Sequence, residues 1–147
     1  MMLRIPALGA ALGLVASSCM FMSDHTASLR EALNEGRAEN AAHADHCAVT
    51  RTMADMSSEM QRHDVAIDGV FAEMMNGMDT MNECSCCDTS GMRAMMDGLT
   101  TMESDHRRQM GSTADVTQAR FLCRSHTEAM RQKMDQMDST AAGYMGN

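Results

Sequence analysis

From Ala27 to Asn147 the apolar side chains return every third or fourth residue, never in alternation, and no proline interrupts them. That period is helical, because 3.6 residues per turn bring positions three and four apart onto one face. One stripe runs Met53, Met56, Met60, Ile67, Phe71, Met74, Met78, Met81; a second runs Met92, Met95, Leu99, Met102; a third runs Leu122, Met130, Met134, Met137. Ala, Glu, Gln and Arg, all good helix formers, fill the positions between. The pattern predicts an all-α fold.

Three segments break the stripes: His63 with Asp64, Asn82 to Gly91, and Gly111-Ser112-Thr113, where Ser112 and Thr113 suit a helix N-cap and Asp115 its first turn. Helices are expected over 28–62, 65–82, 91–110 and 114–142, forming an antiparallel up-and-down four-helix bundle. The apolar stripe passes His63 almost unbroken, so a long two-helix hairpin turning at residues 83–90 is the alternative. Either fold is symmetric about residue 85, which sets Cys47 opposite Cys123, His43 opposite His126 and His63 opposite His106. A faint repeat also aligns Arg51, Met53, Asp55 and Met60 with Arg93, Met95, Asp97 and Met102.

Composition changes what such a core is made of. Methionine accounts for 20 of the 147 residues, against three Phe, one Tyr and no Trp. Met is flexible and polarizable, so a Met core fills space while specifying shape loosely, and its thioethers are soft metal ligands. The net charge of −8 becomes one unit more negative if Arg4 is removed with a leader. With no basic cluster and few stacking side chains, a nucleic-acid partner is excluded.

Residues 1–18 have the order of a secretion signal: a positive start, Met1 to Arg4, then the apolar run Ile5 to Ala16. Val15-Ala16-Ser17-Ser18-Cys19 resembles the lipobox of bacterial lipoproteins. That resemblance implies cleavage before Cys19, acylation of Cys19, residues 19–26 as a linker from the lipid anchor, and residues 27–147 as the working domain. Met20 in second place implies the outer membrane, facing the periplasm. Two alternatives are simple secretion, since Ala16-Ser17-Ser18 also fits the general signal peptidase, and an uncleaved anchor, since the uncharged run continues to Met22.

Three constellations could carry chemistry. His43, His46, Cys47, Cys123 and His126 would gather at one end of the bundle, either around a Cys47–Cys123 disulfide or as a Cys2His2 site for Zn(II) or copper. Cys84, Cys86 and Cys87, flanked by Met81 and Met92, form a loop either disulfide-bonded within and between chains or able to wrap Cu(I) or Ag(I) in thiolates. Met60 with His63, Met102 with His106, and His126 with Met130 each set a thioether one helical turn from an imidazole. These spacings resemble the Met/His motifs of periplasmic copper- and silver-binding proteins, and a sulfur-lined bundle is similar in architecture to the bacterial copper storage proteins, whose cores carry cysteine instead. The resemblance implies copper as the cofactor.

Glu103 and His106 match the Glu-x-x-His element of di-iron bundles, but Glu59 and His63 miss its spacing, which speaks against a di-iron oxidase or ferritin. No nucleophile triad or phosphate loop is present, so an enzyme is not expected. The expected function is an envelope lipoprotein that binds Cu(I) or Ag(I) for buffering or resistance. One rival is a disulfide-stapled structural lipoprotein that docks on another envelope protein or its own copy. A third reading is a methionine-based oxidant scavenger.

Overall fold

The computed structural model describes residues 22–83 and 88–144, with side chains from Thr26 onward. Cys19, its lipobox-like segment, Cys84, Cys86 and Cys87 lie outside the described residues. Four helices follow one another: α1 (Met22–Val49), α2 (Met53–Glu83), α3 (Ser90–Ser112) and α4 (Val116–Gly143). Each packs beside the next, and α4 returns against α1, closing an up-and-down four-helix bundle. Among the described residues no helix is long and apolar enough to cross a membrane. α1 begins at Met22, inside the segment expected as linker.

The first break is not at His63 and Asp64, which lie inside α2, but at Thr50-Arg51-Thr52. Its chemistry is local. The Thr52 hydroxyl accepts from the Asp55 amide at 3.1 Å and donates to the Asp55 carboxylate at 2.7 Å, a reciprocal cap that starts α2. Across the bundle Arg120 Nε donates to the Thr50 carbonyl at 2.8 Å, tying the turn to α4. At the third break Thr113 closes α3, and the cap of α4 is Asp115, whose carboxylate accepts from the Gln118 amide at 2.8 Å.

The buried faces follow alternating steps of three and four, the spacing by which nearly parallel helices interlock. In α1 the buried positions include Thr26, Leu29, Leu33, Gly36, Asn40, His43 and Cys47; in α3 they are Met92, Met96, Leu99, Glu103, His106 and Met110. A single frame therefore runs through apolar and polar residues alike. It divides the interior into three levels. One end holds the larger apolar core, with Leu29, Leu33, Ile67, Met74, Met78, Met81, Met92, Leu99, Met130, Met134 and Met137. The other holds Cys47, Met56, Met60, Met110, Ala119 and Cys123. Between them, on every helix, lies a buried polar level of His43, His63, Glu103, His106 and His126.

Two glycines set how close α1 and α2 come. A Cβ on Gly77 would stand 3.2 Å from the Leu29 backbone, and one on Gly36 would meet the Met134 and Met74 side chains at 2.9 Å. Outside the core, Arg37 bonds Asp135 at 3.0 Å and Asp138 at 3.2 Å, joining α1 to α4.

Candidate metal centre

Burying an imidazole or a carboxylate costs free energy unless partners replace water, so four histidines and two glutamates in a bundle of this size call for an account of every polar atom. The histidines form two stacked pairs. His43 lies on His63 with ring centroids 3.8 Å apart, and His106 lies on His126 at 4.0 Å; the two stacks stand nearly perpendicular. Each pair comes from one helical hairpin, α1–α2 or α3–α4.

The outer ring nitrogens of the first pair are held by carboxylates in a crossed pattern. His43 Nδ1 donates to Glu59 Oε1 and His63 Nδ1 to Glu39 Oε1, both at 2.8 Å. Arg62 spans the two carboxylates, with contacts of 2.8 and 2.9 Å to Glu39 and 2.7 and 2.9 Å to Glu59. Burial would raise the Glu59 carboxyl, but Arg62 and His43 outweigh it and hold it down at about 2. Both carboxylates are therefore anionic acceptors that hold a proton on each Nδ1 and turn Nε2 of His43 and His63 inward.

Glu103 is oriented from the other side. Arg107 Nε lies 3.3 Å from its Oε1, leaving Oε2 turned inward, 3.1 Å from His126 Nε2 and 3.4 Å from His63 Nε2. Burial opposes ionisation here too, and the two histidines overcome it, holding the carboxyl well below its usual range. These approaches are ion pairs without an aligned hydrogen bond at His63 Nε2, His126 Nε2 or Glu103 Oε2. Three ligand atoms thus converge, all within 4.8 Å of one another, at one buried point. Ligands at about 2.0–2.1 Å from a tetrahedral Zn(II) stand about 3.3 Å from each other, and 3.1 and 3.4 Å bracket that spacing.

The remaining histidines lean toward neutrality. Burial, then the neighbouring His63, push His43 down to about 4 against the pull of Glu59. Burial, with His126 and His43 beside it, takes His106 to about 3. His63 goes the other way: burial opposes, but Glu103 and Glu39 prevail and raise it. Between α3 and α4 an open groove lined by Met102, Asp105, Leu122 and Ser125 also reaches His106 and His126.

Of the first expected constellation, His43, Cys47, Cys123 and His126 come together. Cys47 and Cys123 sit at disulfide distance, Cα atoms 6.3 Å apart, so the expected pair across α1 and α4 forms. His46 does not join; it is exposed, its Nδ1 3.2 Å from Glu59 Oε2 on the outer side. Met81 and Met92 are packed in the larger apolar core. His63 and His106, expected as partners of Met60 and Met102, instead enter the centre, while Met60 belongs to the smaller apolar core and Met102 packs on the larger. Glu39, Arg62 and Arg107 belong to no site expected from the sequence, and Glu59 and Glu103 enter there only through the di-iron element that the spacing speaks against. Comparison with protein-family models, characterised proteins and solved structures finds no match, so the centre is read from its own chemistry.

Proposed function

We propose that this protein is an envelope lipoprotein that binds a transition-metal ion inside its bundle, for buffering or resistance, with His63, Glu103 and His126 as ligands. The observation that carries the reading is the convergence of two imidazole nitrogens and a carboxylate oxygen at one buried point. Two imidazoles and a carboxylate suit a borderline divalent ion, Zn(II) or Cu(II), better than Cu(I) or Ag(I). Copper thus remains the cofactor to test first, now in its divalent form. The soft-ion reading of Cys84, Cys86 and Cys87 with Met81 and Met92 rests on the sequence alone. The leader and Cys19 support export and lipid anchoring by their resemblance to lipoprotein signals.

The test is a titration of purified metal-free protein with Zn(II) and Cu(II) against a chromophoric chelator, beside Glu103→Gln, His126→Ala and Glu39→Gln, which removes the carboxylate behind His63. The expected result is one tightly held ion per chain. Glu39→Gln should weaken it by about 10- to 100-fold, the usual cost of losing a carboxylate behind a histidine ligand, and the two ligand variants by more. Equal affinity in all four proteins would remove the centre as a metal site. It would favour the rival structural reading, which the Cys47–Cys123 pair and the buried ion pairs also support.

A further inference from the structure

We infer that the bundle holds a second metal site, made by His43, His106 and Cys123 with Met56 beside it, which exists only while Cys47 and Cys123 are unpaired. This rests on the metal-binding reading above and adds a gate to it. His43 Nε2 lies 3.3 Å from His106 Nε2, and Cys123 Sγ lies 3.6 Å from the first and 4.0 Å from the second. Met56 Sδ is 3.9 Å from the same sulfur. A thiolate at about 2.3 Å and an imidazole at about 2.0 Å from one tetrahedral ion stand about 3.6 Å apart. The four side chains are buried, and two histidines, a cysteine and a nearby methionine are the donor set that favours copper in a trigonal site.

The stacked rings divide between the two sites. His43 and His106 serve the thiol site, His63 and His126 the carboxylate site, so the stacking distances put two ions about 4 Å apart, the separation of two-metal centres.

The sulfur of Cys123 has two exclusive fates. Bonded to Cys47, it has no charge to offer a cation. A dithiol delivering two electrons and two protons converts the bond to two thiols and itself becomes a disulfide. The Cys123 thiol then releases its proton to solvent as it coordinates, and His106 carries its ring proton on Nδ1. Cys47 approaches His43 at 3.6 Å but is not part of the converging group, which makes the two cysteines unequal.

That inequality supplies the test. In a background with Cys84→Ser, Cys86→Ser and Cys87→Ser, the oxidised protein, the protein reduced by a dithiol and desalted anaerobically, and the variants Cys47→Ser and Cys123→Ser are titrated with Co(II). The ion is counted by its visible bands and the thiolate by its charge-transfer band in the near ultraviolet. The oxidised protein and Cys123→Ser should take one Co(II) without charge transfer; the reduced protein and Cys47→Ser should take a second, with the band. Both variants lack the disulfide, so lost stability cannot mimic the contrast. One Co(II) in every form, with no band, overturns the thiol site and leaves the carboxylate site standing. A band in Cys123→Ser assigns the thiolate to Cys47 and overturns the gate as drawn. No Co(II) in any form defeats both sites.

Discussion

At the scale of single residues, burial favours neutral His43 and His106 in the metal-free protein, and this dictates how stability follows pH. His43 at about 4 and His106 at about 3 bind fewer protons folded than unfolded, where histidine titrates near 6.5. Their contribution is therefore complete above about pH 6.5 and is lost as the pH falls toward 4 and 3. For His43 the shift corresponds to about 3 kcal/mol. Glu59, held at about 2, adds a loss that begins below its ordinary 4.5. His63, raised by its two carboxylates, works in the opposite sense, contributing below 6.5 and fading as the pH rises through its higher value. Glu39 and Glu103, also lowered, act in the same sense as Glu59, so five of the centre's groups stand against His63. The urea midpoint of metal-free protein should fall steadily between pH 7 and pH 4, and a midpoint constant over that range would show that these imidazoles are not buried in neutral form.

At the scale of helices, two glycines with the same propensity should respond to alanine with opposite signs. Gly69 is exposed in the middle of α2, and a methyl group added there would meet nothing within 4 Å, so Gly69→Ala should stabilise by about 0.8–1 kcal/mol. Gly77 faces the backbone of Leu29 at 3.2 Å. Gly77→Ala would push α1 from α2 and should destabilise, a contrast read directly in thermal midpoints. The helices themselves were legible because apolar spacing survives any choice of side chain, and two of the three breaks carry Gly with polar caps. The break at Thr50 was missed because its signal is Thr52 with Asp55, three residues apart, while His63 interrupts only the apolarity of α2 and none of its hydrogen bonding. The same error hid the site. His43, His63, His106, His126 and Glu103 occupy core positions of the three-four frame, and a frame traced through apolar residues alone steps over them. The Cys47–Cys123 pairing was legible since equal distance from the central loop needs no side-chain detail. The crossed Glu39–His63 and Glu59–His43 bonds were not, as they depend on the offset between α1 and α2.

At the scale of the whole molecule, the two hairpins are related by a spacing that the faint repeat did not capture. His43 and His106 are 63 residues apart, and so are His63 and His126. One hairpin lends an imidazole to each proposed site and completes neither. Cys47 and Cys123, too, belong to different hairpins. The interior is apolar at both ends and polar at the middle level, so the hairpins are held together by flexible methionine contacts above and below a band of chemistry that needs both partners. Coordination would then be a property of the seam between two halves of the chain.

If the backbone were severed between Glu83 and Asp88, the molecule would become a two-piece kit whose missing connection is supplied by the ion. Separately produced halves should remain apart in chelator and associate one to one when Zn(II) is added, as followed by size-exclusion chromatography.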